Sequence, residues 1–472
     1  MKKKLVIGFI ALAAAGLLSV RSFASEREKV IDAFLSLHSA AAAGRSPWPG
    51  YSPVGAPLLV ELPGEGGSLL FGPVKPPTGF QLLSGGGGAM SVYYSTAQFQ
   101  GPDFSVLLLG GEEVTRIRFV AGMETGFRFA VHEAFHFFQW DKFKMKDTQN
   151  MPGKISAETL ADAYIERQLL YNALVSEDWK SSLRSFVALR RHRYAAEKKD
   201  VREYEENREL TEGIAMYVEW KSLPYLRGKV LEDGEAIEDL QKLFNVRMPY
   251  FMFSFYGSGL AQCLILDRLG VDWKKDAQLG KPVFGILSGQ VKLDERDASV
   301  EAARVRASHG FGELVEKARG EILSYERALE YLVNKHKKAA RGLRVVLKNN
   351  KVAGNSSGED GIHYIGGRTL FLPVVNRFQL APSPQVKLAL YGGSVIMDLG
   401  IGRGGNLTGE LDFVVKDADK AVLKFDGKVF SQRTSCRRFV KEMSIKSPSV
   451  DFWRAGPGRV CYTGNKIEVA PE

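Results

Sequence analysis

The segment Val131-His132-Glu133-Ala134-Phe135-His136-Phe137-Phe138-Gln139 governs how the rest of the chain is read. Wound as an α-helix, it sets His132 and His136 four residues apart on one face, where two imidazoles can share one metal ion. Glu133 falls one step round, beside the coordination position that two such ligands leave for water. The pattern His-Glu-x-x-His thus supplies the parts of zinc-assisted hydrolysis: two neutral nitrogen ligands, an open position and a carboxylate to take a proton. Histidine is scarce, seven in 472 residues, so the spacing is an uncommon coincidence. The competing reading is a pair of core histidines. The segment is apolar nearly all round (Phe129, Ala130, Val131, Ala134, Phe135, Phe137, Phe138, Trp140), which predicts a buried helix. Burying two imidazoles and a carboxylate there is expensive unless they are paired or hold a metal.

The N-terminus reads as a targeting segment. Lys2, Lys3 and Lys4 precede an apolar run from Leu5 to Leu18, too short for an ordinary membrane span, and Ser22-Phe23-Ala24 offers a small-x-small cleavage site. This predicts a secretory signal peptide over residues 1–24, cut near Ala24, and a periplasmic or secreted protein. No later stretch is long and apolar enough to span a membrane. Removing residues 1–24 takes four basic residues with it and lowers the formal charge from +10 to +6. The remaining basic residues are scattered among acidic ones without interleaved aromatics, so a nucleic-acid partner is not predicted. Of the three cysteines, Cys263 falls in an apolar helical run and reads as a buried thiol. Cys436 and Cys461 are candidates for a disulfide in an exported chain.

Along the chain, residues 26–43 read as a helix. Short strand-like runs follow at Pro57–Leu62, Ser68–Phe71, Met90–Tyr94 and Val114–Val120, with a four-glycine turn at Gly85–Gly88. After the His-Glu segment, helices are expected over Ser156–Ser176 and Trp179 to about Asn207. The second is dense in Arg, Lys and Glu and reads as a solvated face. Apolar helix is expected again to Leu269, and helix over 311–338. From about Gly342 the period changes to short strands between Gly, Asn, Asp and Ser turns: Leu343–Leu347, Thr369–Val374, Gln385–Tyr391, Ser394–Leu399, Glu410–Val415, Ala421–Phe425 and Arg459–Tyr462. The expected fold class is α+β: a small N-terminal sheet with a mainly helical part, then a C-terminal all-β sandwich. The expected divisions are 1–24, 25–125, 126–340 and 341–472.

Leu210-Thr211-Glu212-Gly213-Ile214-Ala215-Met216-Tyr217-Val218-Glu219 reads as a second helix, with Thr211 placed to cap its start. Taken with His-Glu-x-x-His, it resembles the Asn-Glu-Gly-Phe-Ala-x-Tyr-x-Glu segment of the gluzincin zinc peptidases, the aminopeptidases among them. The resemblance is local to these two motifs. It implies a zincin-like fold, Zn²⁺ as cofactor, and Glu212 as third ligand beside His132 and His136. The gap between His136 and Glu212 is longer than in the aminopeptidases, and their signature for a substrate amino terminus is not evident. Glu158 competes for the third-ligand place. Glu158-Thr159-Leu160-Ala161-Asp162 lies at a distance from His136 similar to that in the thermolysin family and resembles its ligand and nearby Asp. Gluzincins commonly add a tyrosine that donates to an oxyanion; Tyr256 is the candidate here, with Tyr250 the alternative. Glu219 and Asp162 are both candidates for the carboxylate that orients a ligating imidazole.

The resulting expectation is an exported zinc metallopeptidase acting on peptide or protein substrates, with Glu133 as general base and no stable membrane span. Two other readings remain: a non-catalytic exported binding protein on a zincin-like scaffold, and a zinc hydrolase of an ester or non-peptide amide. Substrate and oligomeric state are not encoded in any motif.

Overall fold

The structure is a computed structural model. It describes residues 25–72, 74–84, 90–97, 104–109, 111–119, 122–144, 155–229, 233–244 and 254–338, and, between 343 and 471, the backbone of paired strands. The segment 1–24, the turn Gly85–Gly88 and Tyr250 lie outside these residues. The fold is α+β, with a small mixed sheet near the N-terminus and helices after it. Two compact units are built from interleaved stretches of sequence. The first takes the chain up to Met145, then Leu210–Asp239 and Leu266–Lys281; the second takes Lys146–Glu209, Leu240–Ile265 and Pro282–Glu472. The helical stretch 126–340 therefore contributes to both.

In the first unit, α1 (Glu26–Ala42) begins at Ser25. The Ser25 hydroxyl accepts from the Glu28 N–H at 3.2 Å, and the Glu28 carboxylate accepts from the Ser25 N–H at 2.8 Å. This reciprocal cap satisfies two of the N–H groups that a helix start leaves over. Six strands follow: β1 (Leu58–Leu62), β2 (Gly67–Phe71), β3 (Gln81–Ser84), β4 (Val92–Ser95), β5 (Phe104–Leu109) and β6 (Glu112–Arg118). Their order across the sheet is β3-β4-β2-β1-β6-β5, with β1 and β6 parallel and the other neighbours antiparallel. The sequence shows four of these strands but not β3 or β5. Every residue of β1 and β2 is buried, so both faces of the central strands are covered. Glu61 of β1 joins the parallel strands through charge, meeting Arg116 at 2.6 Å and Arg118 at 3.7 Å.

Strand β6 feeds α2 (Met123–Lys142), which carries the His-Glu segment. Gly122 turns the chain at φ +89°, a conformation that favours glycine. Gly126 lets Phe119 close on the helix, where a Cβ would lie 2.2 Å from the ring. The inner face of α2 then enters an aromatic core. Phe127 packs on Phe34 of α1 at 5.0 Å, and Phe135 packs on Trp48 and Tyr51 at 5.5 and 4.9 Å. Tyr51 donates its hydroxyl proton to the Val131 carbonyl at 2.8 Å. The helix is not buried all round, although its composition predicts that it should be. Trp140 is 63% exposed and Phe129 36%, because the sheet, α1 and the Trp48–Tyr51 loop cover only one side.

The second unit holds α3 (Ala157–Val175), α4 (Trp179–Ala196) and α5 (Lys199–Arg208). Here the expectation of a solvated charged face fails. Arg190 and Arg193 on α4 are buried against Glu166 on α3 and Glu205 on α5, with N–O separations of 2.7 to 3.2 Å, and Arg190 also reaches Glu209 at 2.6 Å. Bidentate geometry is what makes such burial tolerable, because each guanidinium and carboxylate retains hydrogen bonds on several atoms. Between 343 and 471 the backbone pairs into a nine-stranded and a seven-stranded sheet. In the first, Leu343–Val352 lies between Leu407–Val415, antiparallel, and Lys466–Pro471, parallel. Cys461 is disulfide-bonded, Cys263 is buried, and Cys436 lies outside the described residues.

Glu166 is shared by two buried guanidinium groups, and removing it leaves Arg193 with Glu205 and Arg190 with Glu205 and Glu209 for the charge and hydrogen bonds it supplied. Glu166→Ala is expected to destabilise the fold by about 3–5 kcal/mol, read from urea unfolding; a loss under about 1 kcal/mol would show that the pairs are solvated after all.

Candidate metal centre

The centre forms where α2 meets the stretch Glu209–Arg227. That stretch opens with a π-helical turn, Glu209–Gly213, running directly into α6 (Ile214–Arg227). Gly213 has helical φ and ψ (−63°, −40°), so no helix starts here and the expected Thr211 cap does not form. A π turn holds one residue more than an α turn and re-aims the side chains within it. Here it carries Glu212. Glu219 follows seven residues later, two turns on, and both carboxylates face α2. From α2, Arg128, His132 and His136 come off at intervals of four residues, one above the other.

The Glu212 Oε2 lies 3.4 Å from the His132 Nε2 and 3.2 Å from the His136 Nε2. Donor atoms of all three residues fall within 4.8 Å of one another. The other ring nitrogens are already engaged. The His132 Nδ1–H donates to Glu219 at 3.2 Å, and the His136 Nδ1–H donates to the Gln139 Oε1 at 2.8 Å. The Gln139 amide cannot be turned round, because its NH₂ donates to the carbonyls of Leu210 and Thr211 at 3.3 and 3.0 Å. Its oxygen must then accept from His136, which fixes that imidazole with a bare Nε2 lone pair. Glu219 is held in turn by Arg128, whose Nε–H donates at 2.5 Å and whose Nη1 donates to Asp239 on α7 (Asp233–Phe244) at 2.8 Å.

This donor set suits a zinc ion in its chemistry, and two of its three separations match in distance. Two ligands at about 2.0–2.1 Å across a tetrahedral angle stand roughly 3.3 Å apart, and the two Nε2–Oε2 separations bracket that figure. Both imidazoles present Nε2, and both have the outer hydrogen bond that metal-ligating histidines carry. The electrostatics also call for a cation. Burial works against a charged His132, but hydrogen bonds and charge from Glu212 and Glu219 outweigh it and push its pKa up to about 10. Burial likewise raises the Glu212 pKa, and the two histidines more than offset this, holding the carboxyl well below its usual range. Glu133, half-buried, is pushed up by burial.

The sequence candidates part company here. His132, His136 and Glu212 come together, with Glu133 adjacent. Glu158 is exposed on α3 and is not in the cluster. Asp162 is bound to Arg306 at 2.5 Å, so of the two orienting carboxylates considered it is Glu219 that meets an imidazole. Tyr256 is half-buried in the first turn of α8 (Ser254–Arg268). Arg128, Gln139 and Asp239 escaped the sequence reading. Arg128 and Gln139 carried a usable signal, since each stands one helical turn from a candidate ligand. Asp239 carried none.

No protein-family model, no curated protein and no solved structure matches the chain. Among the described residues, no helix is long and apolar enough to cross a membrane.

The His132 pKa leads to a test. In the metal-free protein, protonation of His132 stabilises the fold fully below its unfolded value of about 6.5. That stabilisation is lost as pH rises through about 10. A metal must displace this proton, so binding at pH 7.5 is expected to release about one proton per ion. Calorimetry in buffers of different ionisation enthalpy reads that number; zero release would contradict a protonated His132. Glu219→Gln is expected to weaken zinc binding about 10–100-fold while leaving the fold intact by circular dichroism.

Proposed function

We propose that the protein is an exported zinc metallopeptidase of the gluzincin type, with His132, His136 and Glu212 as the metal-holding residues and Glu133 as general base. The observation that carries this reading is the convergence of the two Nε2 atoms on one carboxylate, 3.4 and 3.2 Å from it and with all three donors within 4.8 Å, with a second carboxylate beside them. Bound zinc would supply Lewis acidity for a carbonyl oxygen and a water acidic enough to lose its proton near neutral pH. The chain's own residues do the rest. Glu133 accepts that proton at its carboxylate and delivers it to the departing amine nitrogen. Its raised pKa moves it toward the range where a carboxylate can both take and give a proton at neutral pH. Glu219, locked by Arg128, keeps the His132 ring in one tautomer and orientation, and Gln139 does so for His136. Tyr256 is assigned the oxyanion-donating role on the family resemblance alone. The strands from 341 onward are read as a β-sandwich domain, and residues 25–125 and 126–340 as the two parts of the catalytic domain.

Metal content and turnover test this together. Purified wild type is expected to hold about one zinc per chain. Glu212→Ala should lose it, and Glu158→Ala should keep it. Glu133→Gln should retain zinc while peptide hydrolysis falls by about 10²–10⁴-fold. Zinc-free, well-folded wild type that fails to take up added zinc would overturn the assignment. Undiminished function in Glu133→Gln would point instead to a binding protein.

A further inference from the structure

The second unit holds a cavity of about 460 Å³ that shares no residue with the metal centre. It is lined from α4, α5 and the helices Val283–Ser288 and Glu295–Ser308. Its size is that of a small-molecule site. Three lining residues keep hydrogen-bond donors that the protein does not use. Arg191 donates from Nη1 to the Leu293 carbonyl at 2.6 Å and from Nη2 to the Ser288 carbonyl at 2.8 Å. These bonds fix the guanidinium in place but bring it no carboxylate, and among the described residues it has no ion-pair partner. Its neighbours Arg190 and Arg193 each hold more than one carboxylate. The Nε2 of half-buried His192 lies 3.2 Å from the Arg306 Nη1. A guanidinium only donates, so this Nε2 accepts and the ring proton sits on Nδ1. That N–H has no partner among the described residues. Tyr194, 7% exposed, keeps a buried hydroxyl that also lacks a partner among the described residues.

Unused donors call for an acceptor, and a guanidinium without a counter-ion calls for an anion. The lining also limits how much charge that anion carries. Glu206, which takes Arg202 at 3.1 Å, and the exposed Glu295 border the same cavity. Two carboxylates there repel a dianion such as phosphate more than they repel a single negative charge. The apolar part of the lining is aromatic, with Phe284 and Tyr194 meeting edge to face at 5.4 Å. We propose that this cavity binds a small organic carboxylate with an apolar body. Its carboxylate is taken by Arg191 and the His192 Nδ1–H, and its body packs on Phe284 and Tyr194. A purely structural Arg191, bracketing the end of Val283–Ser288, would explain its two carbonyl bonds but not the second free donor in the same lining. The proposal stands apart from the peptidase reading, since no step of that hydrolysis passes through these residues.

The full chain is titrated with phenylacetate, with its neutral isostere phenylacetamide and with inorganic phosphate, followed by ligand-observed NMR. Wild type is expected to bind phenylacetate with a Kd under about 10 mM, at least about tenfold more tightly than either of the others. Arg191→Gln should weaken that binding by about tenfold or more. His192→Ala should weaken it by about threefold with circular dichroism unchanged. It breaks neither of the Arg191 carbonyl bonds, so it reads the site even where Arg191→Gln fails to fold. Phenylacetamide or phosphate binding as tightly as phenylacetate would overturn the carboxylate assignment. No phenylacetate binding in wild type, or binding that His192→Ala leaves intact, would overturn the cavity as its seat; the second result would place the ion elsewhere, the metal centre included.

Discussion

Two imidazoles and two carboxylates lie largely out of water between α2 and the stretch that becomes α6, and that arrangement holds only because their outer atoms have assigned partners. An unpaired carboxylate or imidazole in such a place would cost several kcal/mol. Here the Nδ1 atoms go to Glu219 and Gln139, Glu219 goes to Arg128, and Arg128 goes to Asp239. Once these bonds are made, the two Nε2 atoms and the Glu212 carboxylate are left facing one another. The reactive geometry is what remains after the supporting hydrogen bonds are satisfied.

The supports explain features that look unrelated. The π turn at Glu209–Gly213 lets Glu212 and Glu219 both face α2, and its carbonyls at Leu210 and Thr211 anchor the Gln139 amide. Gly122 and Gly126 matter for the same reason. They bring the helix off β6 at close range and so set the height at which His132 and His136 meet the opposing carboxylates. The aromatic core of Trp48, Tyr51 and Phe135 fixes the rotation of α2 about its axis, which decides which side faces Glu212 and which stays open.

Much of this was legible in the sequence, for physical reasons that differ by residue. His132, His136 and Glu133 stand close together on one helix, where the 3.6-residue period predicts their directions. Glu212 was reachable through its resemblance to a gluzincin motif, not through periodicity, and the π turn around it left no trace that a Thr-Glu-Gly sequence would betray. Glu158 and Glu212 are alike as letters; only folding separates an exposed carboxylate from one that faces two imidazoles. The buried pairs of Arg190 and Arg193 were misread because charge-rich helices are usually solvated, and their partner Glu166 belongs to the preceding helix. Strands β3 and β5 were missed in stretches with weak alternation between glycine-containing segments.

The outer partners of the two imidazoles are not equivalent. His132 leans on a carboxylate, which makes its Nε2 the stronger donor; His136 leans on a neutral amide, which leaves it the weaker one. The centre is therefore lopsided. If a metal were held there, His132, His136 and Glu212 would be its ligands, and the two rings would differ in donor strength although both present Nε2.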